Sequence, residues 1–399
     1  MRSVSTHRQH VADLVGRQPH REESPVHAVG HRLVSDARAE SASPRFDNSQ
    51  MDGFAVDAAS LASLPGSLAV GPTVSAGVDP DEVVPEGVSG RAIPVMTGAK
   101  LPRGTAAIVP VEKCTPGLFD AADEAGEVSV PTTTAGAFIR AAGSGIAAGA
   151  VIAPAGSVVD PIALAALINA GVETVTIQHA PRVLIVTGGK EVGGRGGASI
   201  PDSNGPMLHA LCKAYGLHPV GLVHTDDDPE KLAADLDRAV AEENPDVIIT
   251  SGGISHGRFE VIRIVLENEQ SWFGHVAQQP GGPQGLSTFA GVPVICLPGN
   301  PVSTMVSFRV FVAPVLGQAP KETAARLDHE LAGLVDGRTQ WRRGQYWADE
   351  AGQLWVRALG GPGSHLISQA VGANCLIEVG PGVAYGRSEV VKILPLAAG

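Results

Sequence analysis

Three apolar runs in the second half of the chain end in glycine-rich turns: PRVLIVTGG (181–189), PDVIITSGG (245–253) and GVPVICLPGNP (291–301). Helical patterns alternate with them. NGPMLHALCKAYG (204–216) has Asp202 to Asn204 as capping candidates, and HPVGLVH (218–224) reads as a further strand. In DDPEKLAADLDRAVAEEN (227–244), Asp228 caps and Pro229 takes the first helical position. Asn300 and Pro301 then open a helix through VSTMVSFRVFVAPVL (302–316). Strands alternating with helices predict a parallel, doubly wound sheet, which binds ligands at the carboxyl ends of its strands. Those ends are here TGG, TSGG and LPGNP.

The flanking sequence has a different period. Residues 1–45 are polar and open on a short helix with Val11, Leu14 and Val15 on one face. From about residue 54 to 135 the sequence is β-like, with short Val-rich runs between Gly/Pro turns. DPIALAALINAG (160–171) reads as a helix with Asp160 as N-cap, Pro161 at its first position and Gly171 beyond its end. Beyond residue 320, GQLWVRAL, NCLIEV and SEVVKIL predict a small β-barrel or sandwich.

Composition excludes several functions. The net charge is −12, with no dense Lys/Arg run, which disfavours nucleic acid and anionic membranes. No stretch of 18 apolar residues is present, and the N-terminus lacks a signal-peptide core, so a cytoplasmic protein is expected. Cys114, Cys212, Cys296 and Cys375 form no CxxC and are expected in cores, and the histidines form no HExxH.

Four pieces carry candidate chemistry. A single Gly-Gly turn is ordinary, but three at one sheet edge make a phosphate-bearing ligand a real alternative to plain turns. There is no GxxxxGK[ST] and no GxGxxG, which disfavours a P-loop or a dinucleotide site. FDNSQMDGFA (46–55) reads as a capped loop, though two aspartates five apart could bind a hard cation. VMTGAKLPRGTAAIVPVE (95–112) reads as a loop entering a strand, and LPGNPVS (297–303) as a helix cap.

Together these pieces resemble the molybdopterin molybdenumtransferases, the MoeA and gephyrin E-domain family. FDNSQMDGFA resembles FDNSxMDGYA, MTGAKLPRGTAAIV resembles MTGAxLPxGTDAVV, and SGGISHG resembles SGGVSVG. IPDSNGPML resembles the family's I-Y-D-S-N stretch, and LPGNPVS is the family's motif unchanged. The resemblance implies an α/β multidomain fold. A split connecting domain (1–45 and 136–180) surrounds a β-rich lobe (46–135). A doubly wound, MogA-like molybdopterin-binding domain (181–318) and a C-terminal β-barrel-like domain (321–399) follow.

The resemblance also implies a reaction, the insertion of molybdate into adenylylated molybdopterin with release of AMP, assisted by Mg2+. It implies catalytic roles for Asp52, Thr97 and Asp227, with Asp52, Asp227 and Glu260 toward the metal. Substrate contacts fall on Asn48, Ser49 and Gly98, on Ser251, Gly252, Gly253 and Ser255, and on Pro298, Gly299, Asn300, Pro301 and Ser303. It implies a homodimer, and, as in gephyrin, a protein partner; nucleic acid and membrane insertion are not expected. Several charged family positions are altered. Ser144 and Gly145 stand at the GED acids, and TGGKE (187–191) at TGDE, with Gly189 and Lys190 in the acidic places unless a one-residue slip uses Glu191. Arg258 and Glu260 follow SGGISHG, and Gln279 and Gly282 replace both lysines of KPGKP. Lys190 and Arg195 are candidate replacement charges. The alternative function is therefore a catalytically degenerate, gephyrin-like dimeric scaffold.

Overall fold

The computed structural model describes residues 1–16, 19–188, 200–225, 228–254 and 261–397. The chain divides into two units, Met1–Pro19 with His179–Gly399, and His20–Gln178.

Helix α1 (Val4–Val15) opens where the Ser3 hydroxyl accepts the Thr6 N–H at 3.0 Å. Its apolar face is the one expected: Val11 is buried in a core to which Leu14 and Val15 pack. That core belongs to the α/β sheet of the first unit, not to the connecting segment with which the sequence groups residues 1–45.

In the second unit, two stretches distant in sequence share one small core. Leu33, Ala37 and Ala39 pack with Ala153, Val159, Leu167 and Ile177, and His20–Glu23 pairs antiparallel with Val175–Gln178. Between them lies a five-stranded sheet of β1 (Gly53–Asp57), β2 (Gly66–Val70), β3 (Arg91–Val95), β4 (Thr105–Pro110) and β5 (Glu127–Val130), in the order β4-β1-β3-β2-β5. Strand β1, between β4 and β3, is buried through Gly53, Phe54, Ala55 and Val56. Helix α2 (Pro161–Asn169) starts as predicted, with Asp160 Oδ1 accepting the Ala163 N–H at 2.7 Å and Pro161 in its first turn.

In the first unit, β6 (Arg182–Gly188), α3 (Asn204–Ala214), β7 (His218–Thr225), α4 (Pro229–Glu243) and β8 (Val247–Ser251) follow the expected alternation. They are joined by β9 (Trp272–His275), β10 (Pro283–Phe289) and β11 (Val292–Leu297), in the order β7-β6-β8-β11-β10-β9. Alternate residues feed opposite faces. Val183, Ile185, Val247 and Ile249 pack with α1 and α3, while Leu184, Val186, Ile248 and Cys296 pack with α4. The sheet is therefore doubly wound, but it is not all parallel. β10 and β11 pair antiparallel through Ala290 and Gly291, both at positive φ, and so tight a turn leaves no room for a crossover helix.

Helix α5 (Pro301–Ser307) continues through a π-helical stretch (Phe308–Val312) into Ala313–Leu316. Pro314 has no N–H to give the Val310 carbonyl four residues earlier, and the Arg8 guanidinium donates to that carbonyl at 3.0 Å instead.

The C-terminal strands close a barrel, as expected. β12 (Thr339–Ala348) pairs with β13 (Leu354–Ala358) along its second half and with β14 (Cys375–Val379) along its first. Thr323–Leu327 and Val390–Pro395 complete the ring. Gly344 permits the crossing, since a Cβ there would lie 2.8 Å from Ile377 Cγ1 and 2.9 Å from Cys375 Sγ.

Candidate functional site

In the second unit, the MDG and MTG motifs meet. The Asp52 Oδ1 accepts both the backbone N–H of Thr97 at 2.7 Å and its hydroxyl at 2.8 Å. Those bonds, the backbone one first, hold the exposed Asp52 carboxyl below the usual carboxylate range. The chain is fixed on either side. Gly98 N–H donates to the Ser49 carbonyl at 2.8 Å, Ser49 N–H to Ala99 at 3.1 Å, and Val111 N–H to Asp52 at 3.1 Å. Ser49 and Asn48 are buried, and Asn48 Oδ1 has no donor among the described residues. Gly53 is obligatory, because a Cβ there would sit 2.4 Å from the Val109 carbonyl oxygen on β4. Asp47 turns away to cap Ala142 N–H at 2.7 Å, so the two aspartates of FDNSQMDGFA serve separate ends of the loop. Ser144 and Gly145 form a turn against Ser43, and the GED position brings no carboxylate.

In the first unit, a cavity of about 940 Å³ opens at the carboxyl ends of β6, β8 and β11. The glycine-rich turns form its floor. Gly252 (φ +96°) and Gly299 touch backbone to backbone, and a Cβ on Gly299 would lie 3.1 Å from Gly252 Cα. Gly253 (φ +62°) packs on Ile262. Hydroxyls and an amide clamp the turns together. Ser251 Oγ lies 3.0 Å from Thr304 Oγ1, which donates to the Pro298 carbonyl at 2.6 Å. Asn204 Nδ2 reaches Ser251 Oγ at 3.0 Å and the Gly299 carbonyl at 2.7 Å, leaving Asn204 Oδ1 buried without a donor among the described residues. Asp202 caps α3 through Asn204 N–H and Gly205 N–H, both at 3.0 Å, and accepts the Thr187 hydroxyl at 2.8 Å.

Of the residues singled out from the sequence, Ser251, Gly252, Gly253, Pro298, Gly299, Asn300, Pro301 and Ser303 line this one cavity. Asn48, Ser49, Asp52, Thr97 and Gly98 lie together in the other unit. Asp227, Ser255 and Glu260 lie outside the described residues, as do Lys190, Glu191, Arg195 and Arg258. Asn300 corrects the cap reading. It occupies the N-cap position of α5, but its side chain makes no capping bond and donates instead to Ser364 Oγ at 3.0 Å.

Sequence reasoning missed the far wall, the barrel turn Pro362–His365. GPGSHL shows only turn chemistry, and its place over the cavity depends on barrel closure. Arg343 stiffens that turn by donating to the Gly363 carbonyl at 3.1 Å and to the Gly361 carbonyl. Asp202 caps α3 as its place before the helix suggested, whereas the clamp that Asn204 makes between the turns was missed, although it falls within the IPDSNGPML stretch. Among the described lining residues there is no lysine or arginine; Gln279 stands where a lysine of KPGKP was sought. The four cysteines are all buried, and burial pushes their thiols up to about 11 for Cys114 and about 12 for the others, which disfavours the thiolate form. Among the described residues no three His, Cys, Asp or Glu side chains converge as a metal cage.

Three family models match the chain: "MoeA N-terminal region (domain I and II)" over residues 2–171, "Probable molybdopterin binding domain" over 184–318, and "MoeA C-terminal region (domain IV)" over 334–396. The chain is 33% identical over 400 residues to molybdopterin molybdenumtransferase 2 of Mycobacterium tuberculosis, covering 95% of each chain. It is 31% identical to the molybdopterin molybdenumtransferase of Haemophilus influenzae, over 84% of this chain and 83% of the relative. The crystal structure of the molybdopterin biosynthesis MoeA protein from Pyrococcus horikoshii OT3 shares the fold, with a TM-score of 0.77 at 23% identity, over 99% of this chain and 100% of that one.

Proposed function

The chain belongs to the molybdopterin molybdenumtransferase family, and on that premise we propose that it works in molybdenum cofactor biosynthesis by inserting molybdate into adenylylated molybdopterin with release of AMP. The observation that carries this reading is the cavity at the strand ends. It is large enough for a pterin with a phosphate, and its floor is bare glycine backbone that such a ligand can approach closely. Asn204 Oδ1, buried without a donor among the described residues, would take an N–H from the pterin, and Ser303 stands in the first turn of α5, where N–H groups face an anion.

Asp52 fits a magnesium ion that keeps most of its waters. Both Thr97 bonds end on Oδ1, and the depressed pKa keeps the carboxylate charged. Such an ion, when bound, would polarise the phosphoanhydride. Thr97 would fix the direction of the carboxylate, and Asp227 and Glu260 would be further ligands. The family likeness supports a homodimer in which the MDG loop of one copy serves the cavity of the other, a state that light scattering would read directly as a mass near twice 40.9 kDa.

The gephyrin-like scaffold is favoured by a specific observation: Gln279, Gly282, Ser144 and Gly145 stand where the resemblance expects charge. Calorimetric titration with molybdopterin and its adenylate separates the two. Binding in the millimolar range or tighter supports the transferase, and no heat at millimolar ligand ends that reading in favour of the scaffold.

A further inference from the structure

The doubly wound sheet of the first unit has two edges, and the described residues cover only one of them. At the β9 edge, Arg2 N–H donates to the His275 carbonyl at 2.9 Å, and Ala277 N–H donates to the Arg2 carbonyl at 2.8 Å. The Arg2 guanidinium lies 3.6 Å from the centre of the Trp272 ring. The other edge is β7, which pairs along one side with β6. Pro219 and the extra residue Val220, where the register to β6 shifts, blunt its start. From Gly221 to His224 the pairing is regular, and no backbone group there bonds to a described residue outside β6. A parallel ladder uses alternate residues, so half of those groups face outward without a described partner. The segment carries no lysine to guard it, and Leu222 is 43% exposed.

Beside this segment, on the α4 face, lies a groove of about 370 Å³. It depends on the missing side chain of Gly221, where a Cβ would lie 2.9 Å from Leu184 Cδ1 and 3.6 Å from Glu243 Cγ. Leu184, Val223 and Ala239 give the groove an apolar floor. Its rim is acidic. Asp235 holds the Arg238 guanidinium at 2.6 Å, and Glu243 lies 3.9 Å from Arg182. Glu242 is exposed and pairs with no described cation. Helix α4 as a whole carries five carboxylates against two cations, so the surface beside the open edge favours a positive partner.

We infer that β7 is a docking edge for an extended, basic segment of another protein. The segment adds a strand along Gly221–His224, lays an apolar side chain or a lysine stem in the groove at Gly221, and sets a cation against Glu242. A second copy of this chain fits the edge less well, because it brings the same acidic α4 and a net charge of −12.

The test uses the whole protein and a blocked peptide, acetyl-KVKVKV-amide, as probe. Two comparison peptides accompany it: acetyl-EVEVEV-amide, and the KVKVKV sequence methylated on its backbone nitrogens, which keeps the charge and removes the strand pairing. Hydrogen exchange of the segment 220–225 and peptide affinity are measured for wild type, Glu242→Lys and Leu222→Lys, with melting temperature as the check on folding. At saturation KVKVKV should slow exchange in 220–225 by about tenfold, and it should bind about tenfold more tightly than either comparison peptide. Each variant should weaken it by about tenfold, Glu242→Lys by removing the attraction and Leu222→Lys by guarding the edge. Exchange in 220–225 that KVKVKV leaves unchanged at millimolar concentration would overturn the inference. So would equal binding of the methylated peptide, or Glu242→Lys protein, folded, that binds as wild type does. Protection of 220–225 that rises with protein concentration alone would assign the edge to a second copy and overturn it as well.

Discussion

Replacing Gly53 by Ala should uncouple the MDG loop from its sheet. The added Cβ would lie 2.4 Å from the Val109 oxygen, 2.9 Å from the Val109 carbon and 3.0 Å from Ile108 Cγ2. The first two are backbone atoms of β4 and cannot rotate away. Reaching an ordinary 3.4 Å contact requires β1 and β4 to part by about 1 Å. That displacement would press β1 against β3, whose end leads to Thr97, and so disturb the geometry of the Asp52–Thr97 bonds, now 2.7 and 2.8 Å. It would also stretch the ladder at Phe54 and Ala55 and loosen Phe54, which is fully buried. Ladder bonds are worth about 0.5–1.5 kcal/mol each, and with the disturbed packing the total should be about 2–4 kcal/mol. For a unit of this size that is a fall in melting temperature of roughly 5–10 °C, read by calorimetry. Asp52→Asn, which changes only an exposed side chain, should stay within about 0.5 kcal/mol of wild type. A Gly53→Ala protein as stable as wild type would refute the reasoning.

Two further variants probe the first unit. His7 is buried between Trp272 and Phe311, with ring centroids at 5.2 and 4.7 Å, and neither ring nitrogen has a partner among the described residues. Burial, then the Arg2 and His10 charges, push its pKa down to about 3. Unfolded His takes up a proton near pH 6.5 while folded His7 does not, so its contribution to stability declines as pH falls from about 6.5 toward 3. His7→Phe should therefore gain more over wild type at pH 5 than at pH 8, and a melting-temperature difference independent of pH would contradict this. Gln279→Lys with Gly282→Lys should tighten molybdate binding by about tenfold, through charge-assisted contacts to an anion. Gly282 has no positive φ, and a Cβ there meets nothing closer than His275 Cδ2 at 3.5 Å, so the side chain fits. Unchanged affinity by calorimetry would show that the missing lysines do not matter.

What could be read from the sequence was what short-range patterning encodes. The β6-α3-β7-α4-β8 alternation was legible because buried strands read as apolar runs and because Asp228 with Pro229 marks the start of α4, as Asp160 with Pro161 marks that of α2. The reversal of β10 against β11 was not legible, because its turn places Ala290, a residue that rarely adopts positive φ, beside Gly291. Cavity residues carried on motif loops were legible, since glycine density and capping residues are local signals. The barrel wall and the Asn300–Ser364 bond were not, because each joins elements whose meeting depends on tertiary closure. Asp52 and Thr97 illustrate the intermediate case: both were named from their motifs, and only the antiparallel pairing of β1 with β3 explains why they touch.

The most direct measurement is molybdenum insertion by the purified protein given adenylylated molybdopterin, molybdate and magnesium, with AMP release followed in parallel. Wild type should give stoichiometric insertion with AMP release, and Asp52→Asn a loss of orders of magnitude at unchanged melting temperature. No insertion by wild type or by the lysine-restored variant, from protein that is folded, would contradict the transferase reading.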